Sequence, residues 1–217
     1  MWSKVMKKVL ASVLFAFALV PIAQAAVEDE VRQLQADWAQ AKYVTPKAEQ
    51  ESAFEALTQA AVVVRDRYPN RAEPAIWYGI IAASYAGAKG GLGALSLVKD
   101  AKASFEKALS LDKTALDGSA YTSLGSLYYL VPGWPVGFGD DKKALEFLQA
   151  GLAQNPDGID PNFFMGDYLY RKGDYAGAKA SLTKALAAPA RPGRAVADAG
   201  RRKEIQELLS KVREKSA

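Results

Sequence analysis

Asp160 to Ala187 reads DPNFFMGDYLYRKGDYAGAKASLTKALA. Met165, Gly166 and Leu169 recur at the spacing of one helix face, and Tyr175, Ala178, Leu182, Ala185 and Leu186 repeat that pattern after a break at Gly173-Asp174. Two helices joined by so short a turn must lie antiparallel. The small residues Gly166 and Ala178 let their backbones approach, and Tyr175 and Leu182 fill the seam.

The same spacing recurs upstream. Tyr121, Leu124, Gly125 and Tyr128 match the first helix, and Ala144, Leu148, Leu152 and Pro156 match the second, provided seven extra residues intervene. Trp77-Tyr78-Gly79 with Ala101, Phe105, Ala108 and Leu109 match again with ten extra residues. The first extra segment is the turn at 131–139, between Leu130 and Asp140. The second surrounds Gly90-Gly91-Leu92-Gly93. A period of this size is the mark of stacked helix hairpins. The pattern resembles the tetratricopeptide repeat, with Asn162 where that repeat usually carries tryptophan. The expected fold is therefore all-α: a solenoid of four tetratricopeptide-like hairpins, the first degenerate, plus a capping helix over about Ala195–Glu214, with no sheet.

Helix limits follow from local chemistry. Val27, Val31, Leu34 and Trp38 line one face of a first helix that ends near Tyr43, with Glu28, Asp29 and Glu30 in its first turn, where the helix dipole favours them. Thr45-Pro46 and Asp160-Pro161 read as caps followed by proline, Asp117 as a cap after the Leu116–Ser119 turn, and Asp140 or Asp141 as the cap of the helix that follows the 131–139 turn.

Lys4, Lys7 and Lys8, the apolar run Val9–Ile22 and Ala23-Gln24-Ala25 form an expected cleavable signal peptide over residues 1–25. That implies export to the periplasm and no membrane anchor. Residues 26–217 then form one domain. Removing the three leader lysines from 28 basic residues leaves 25 against 24 acidic, a net charge of +1, which removes the electrostatic case for nucleic acid. There is no cysteine and no histidine. The chain thus lacks the commonest general base and metal ligand, and no catalytic, cofactor or metal site is expected. Lys89-Gly90-Gly91-Leu92-Gly93 lacks the Gly-Lys-Ser/Thr ending and preceding strand of a phosphate loop.

The expected binding residues follow from the repeat. Tetratricopeptide geometry, carried over by position, places Glu73, Ile76, Ile80 and Ala83, then Ser119, Thr122, Ser126 and Tyr129, then Asp160, Phe163, Asp167 and Tyr170 on the concave face. Core packing is the competing account of Ile76, Ile80 and Phe163. Trp134 and Phe138, in a turn at the solenoid edge, either plug the helix ends or face a partner. Equivalent loops of a solenoid project from one edge, so the 90–93 and 131–139 turns should lie together. Arg191, Arg194, Arg201 and Arg202 read as a solvated basic face, with a carboxylate grip as the alternative.

Lys89-Gly90-Gly91-Leu92-Gly93-Ala94, Gly118-Ser119, Leu124–Tyr128, Pro132-Gly133-Trp134-Pro135 and Gly137-Phe138-Gly139-Asp140 resemble the periplasmic T component (TatT-like family) associated with some TRAP transporters. The resemblance implies a protein that pairs with the transporter's substrate-binding subunit. Members of that family can be lipoproteins, and this chain has no cysteine to carry a lipid. The functional expectation is a non-enzymatic binding or scaffold protein. The alternatives are a carrier of a small apolar or amphipathic ligand and, on Asp140, Asp141 and Asp167 alone, a carboxylate-dependent hydrolase of cell-wall glycans. A homo-oligomer is compatible with the sequence.

Overall fold

The computed structural model describes residues 25–216. The expected signal peptide lies outside them except for Ala25, with which the first helix begins. Among the described residues there are nine α-helices and no strand: α1 (25–43), α2 (Gln50–Arg67), α3 (Ala72–Lys89), α4 (Ala94–Leu111), α5 (Ala115–Leu130), α6 (Asp141–Gln154), α7 (Ile159–Arg171), α8 (Tyr175–Leu186) and α9 (Ala195–Ser216). Lys47–Glu49 form a 3-10 turn ahead of α2.

The most extensive packing joins α3 to α4, α5 to α6 and α7 to α8, and the first helices of successive pairs also touch, α3 on α5 and α5 on α7. This is the arrangement of a solenoid: one inner layer of first helices and one outer layer of second helices. Each pair closes on a glycine. A Cβ at Gly79 would lie 2.5 Å from the Phe105 ring, one at Gly125 2.7 Å from Leu148 Cγ, and one at Gly166 2.6 Å from Leu182 Cγ. Gly166 and Leu182 are 16 positions apart, Gly125 and Leu148 are 23, and Gly79 and Phe105 are 26. The differences are the seven and ten extra residues expected of the two long turns. Ala101, Ala144 and Ala178, equivalent small residues of the second helices, have no solvent exposure.

Val27, Val31, Leu34 and Trp38 are buried as the face of α1. Asp140 caps α6, accepting from the backbone N–H groups of Lys142 (2.9 Å) and Lys143 (3.1 Å), and Asp174 caps α8 by accepting from Gly177 N–H. Three expected caps are not caps. Thr45 donates its hydroxyl back to the Gln40 carbonyl (3.2 Å), and α2 begins only after Glu49, with the 3-10 turn between them. Asp117 stands with Leu116 and Gly118 in a left-handed run, φ 49°, 54° and 71°, and its side chain is exposed. Asp160 lies inside the first turn of α7, which starts after Gly158, and it is held by arginines.

Both long turns reach the same groove, which Gly91 and Leu92 of the first and Val131, Pro132 and Val136 of the second border. The 131–139 turn is tied down by Gly139 N–H donating to the Pro132 carbonyl (3.0 Å) and Asp140 N–H donating to the Tyr128 carbonyl (2.9 Å). Gly139 passes so close to the Val131 carbonyl that no side chain fits there.

Candidate binding groove

The concave side forms one groove of about 1340 Å³. Its walls are built by α1 (Trp38, Lys42), α3 (Trp77, Ile80, Ala83), α5 (Ser119, Thr122, Ser126) and α7 (Asp160, Phe163, Asp167). The fourth side comes from the far end of the chain, because the 189–194 connector and α9 return across the opening and contribute Arg191, Arg194, Arg201 and Glu204. The N- and C-terminal helices meet there. Tyr43 of α1 donates its hydroxyl to Glu204 (3.1 Å), and its ring rests on Gly200, where a Cβ has no room.

Eight of the twelve expected concave residues line the groove: Ile80, Ala83, Ser119, Thr122, Ser126, Asp160, Phe163 and Asp167. Ile76 does not; with no solvent exposure it belongs to the main core, behind the wall. Glu73 is held at the solenoid margin by Arg71. Tyr129 is turned into a contact between pairs, its hydroxyl donating to Asp167 (2.9 Å) and its ring meeting Tyr168 edge-on. Burial, together with Asp167, raises the Tyr129 pKa well above the ordinary phenol. Tyr170 packs against Tyr175 of α8.

Trp134 and Phe138 have opposite placements. Phe138 folds back and meets Tyr128 edge-on at 5.6 Å, so it is the plug. Trp134 is 90% exposed and stands clear of the groove lining. Leu92, in the neighbouring turn, is 84% exposed, and Leu130 and Val136 are also exposed. Four of the seven exposed large apolar side chains thus fall in or beside the two long turns, a concentration unlike the scatter of an ordinary surface.

The arginine cluster is not a solvated face. Arg201 is buried, stacks over Phe163 at 4.2 Å, and donates to Asp160 (2.8 Å) and Glu204 (2.7 Å). Arg191 bridges Asp160 (2.6 Å) and Asp198 (2.7 Å), while Arg202 donates to the Ala188 carbonyl. Burial pushes the Asp160 carboxyl up, but the charges of Arg201 and Arg191 outweigh it and hold its pKa at about 2. The partners lie 31 and 41 positions from Asp160 in the chain. Sequence patterning missed this network because no local period links them.

Arg194 is the exception among these arginines. Its guanidinium lies 4.9 Å over the Trp77 ring, and among the described residues it has no hydrogen-bond or ion-pair partner. The Trp77 indole N–H is buried and unpartnered as well. Each such donor costs about 1–3 kcal/mol when left unsatisfied.

The acids weighed for hydrolysis are dispersed. Asp140 caps α6, Asp141 pairs with Lys172, and Asp167 pairs with Arg171 and Tyr129. Among the described residues no group of three or more potential ligands is placed to hold a metal ion, and no helix is long and apolar enough to cross a membrane.

Stacked hairpins, glycine-closed pair interfaces and a concave groove make this an all-α solenoid of tetratricopeptide type, an architecture suited to protein interaction. No protein-family model matches the chain, and no curated protein matches its sequence. Among solved structures it is similar to two of MamA. One is 22% identical over 78% of this chain and 92% of that one, with a TM-score of 0.44; the other is 21% identical over 86% and 92%, with a TM-score of 0.43. The fold class rests on the helix pairing described above.

Proposed function

We propose that the protein is a non-enzymatic binding scaffold of the periplasm that docks a protein partner on the edge formed by its two long turns. The observation that carries this reading is the exposure of Trp134 in one long turn and of Leu92 in the other. Tryptophan is among the residues most enriched at interface hot spots. The turn that presents it is held by backbone hydrogen bonds, so little order is lost on docking.

The resemblance of the 89–94 and 132–140 segments to the T component makes a TRAP-type substrate-binding subunit the first partner to try. Purified chain should retain that subunit on a column, and the double variant Leu92→Ser, Trp134→Ala should release it while unfolding at the same temperature. Equal retention by the variant would remove the edge from the reading. No retention by either would remove this partner.

A second reading has its own support. The groove is large, closed on the fourth side by α9, and walled by Trp38, Phe54, Trp77, Ile80, Phe105 and Phe163. Those features suit a carrier of a small amphipathic ligand. Native mass spectrometry of protein from its own host tests it: a bound small-molecule mass is expected, and protein that is uniformly empty counts against it.

A further inference from the structure

We propose that Arg194, backed by Trp77, is the head-group site of the groove and takes the carboxylate of a small anionic amphiphile whose apolar body lies along Trp77, Ile80 and Phe163. This rests on the carrier reading above and assigns it a ligand class.

Unsatisfied donors carry the argument. Of the four arginines that line the groove, Arg171, Arg191 and Arg201 each pair with a carboxylate and Arg194 with none. Trp77, only 4% exposed, carries a second donor without a partner on the edge of the ring that this guanidinium covers. Buried donors in folded proteins are nearly always paired, so two adjacent exceptions at a groove point to a missing acceptor.

The local charge has the same sign. Lys42, Arg191, Arg194, Arg201 and Arg202 gather around Asp160, Asp198 and Glu204, five cations against three carboxylates. Those carboxylates are already committed: Asp160 to Arg191 and Arg201, Asp198 to Arg191 and Arg202, Glu204 to Arg201, Lys42 and Tyr43. Burial, and then the like charge of Arg191, lowers the Arg194 pKa, so its cation lacks the compensation its neighbours have. One added anion would supply it. Beside Arg194 the wall carries the apolar side chains Trp77, Ile80 and Phe163, which favour an anion with a hydrocarbon body over a small polar one.

Dodecanoate and dodecanol, which share a chain and differ in the head, test the proposal by titration against the full chain with tryptophan fluorescence and calorimetry. Dodecanoate should bind, and Arg194→Met should weaken it by about tenfold or more, the loss of one charge-assisted hydrogen bond. Dodecanol should bind the parent and the variant alike. Trp77→Phe, which keeps a ring and removes the N–H, should weaken dodecanoate by a smaller factor. Arg194 has no ion pair to lose, so an unchanged thermal transition identifies the folded variant.

If both probes bind and Arg194→Met leaves dodecanoate unaffected, the carrier reading stands and the head-group site is overturned. If neither probe binds the parent chain, the carrier reading fails and the proposal with it. Binding of a short peptide with a free apolar C-terminus, with dodecanoate inert, would assign the cation to a protein ligand and would also overturn it.

Discussion

Gly125→Ala tests the helix pairing where the backbone of the partner helix, and not only a side chain, closes on the glycine. The added Cβ would lie 2.7 Å and 2.9 Å from Leu148 Cγ and Cδ2 and 3.0 Å from the Leu148 backbone nitrogen. A side chain alone could rotate away, but the backbone contact means that α5 and α6 must separate. Overpacking that must move backbone falls in the upper part of the usual range, about 2–3 kcal/mol, partly offset by the gain of about 1 kcal/mol in helix propensity from Gly to Ala. A net loss of about 1–2 kcal/mol is expected, or roughly 2–8 °C in Tm for a chain of this size. Gly87→Ala, near the end of α3 with nothing within 4 Å of its Cβ, is the control. There only the propensity term acts, and stability should rise by about 0.5 kcal/mol. Urea unfolding followed by circular dichroism reads both. If Gly125→Ala were as stable as the parent, or shifted in the same direction as Gly87→Ala, the close approach of the paired helices would be refuted.

Further perturbations probe the network and the caps. Asp160 has a folded pKa of about 2 against an ordinary carboxylate near 3.9, so its stabilisation is complete above about pH 4 and is lost as the pH falls toward 2. Urea titrations at pH 5 and pH 3 should therefore differ by about 1 kcal/mol from this group, a difference that Asp160→Asn flattens. Arg201→Ala would leave Asp160 and Glu204 short of a buried partner and should cost about 3–5 kcal/mol by the same unfolding measurement. Asp140→Ala removes two capping bonds to the start of α6 and should cost about 1 kcal/mol. Trp134→Ala should change stability by less than about 0.5 kcal/mol, because the ring it removes is already in solvent.

The hairpins were legible because their cause is local. Gly166, Ala178 and Leu182 lie within one turn-linked pair, and the same chemistry recurs at Gly125 with Leu148 and at Gly79 with Phe105. The positions of the long turns followed from arithmetic on those residues. What was not legible depends on how the ends of the solenoid return on one another. The pairing of Tyr43 with Glu204, of Asp160 with Arg191 and Arg201, and the stacking of Arg194 on Trp77 join segments with no common period. Asp117 misled for a different reason: a cap needs extended backbone, and Gly118 with its left-handed φ carries Leu116 and Asp117 into the same conformation. Ile76 was assigned to the groove by repeat position, yet it is sealed within the main core, one turn from Ile80, which does line the wall.

A photo-crosslinking residue placed at Trp134 and, separately, at Val63 on the exposed side of α2 tests the central claim in the living host. The residue at 134 should capture the TRAP-type substrate-binding subunit, and the one at 63 should not. Capture of that subunit at 63 and not at 134, or at neither, would contradict it.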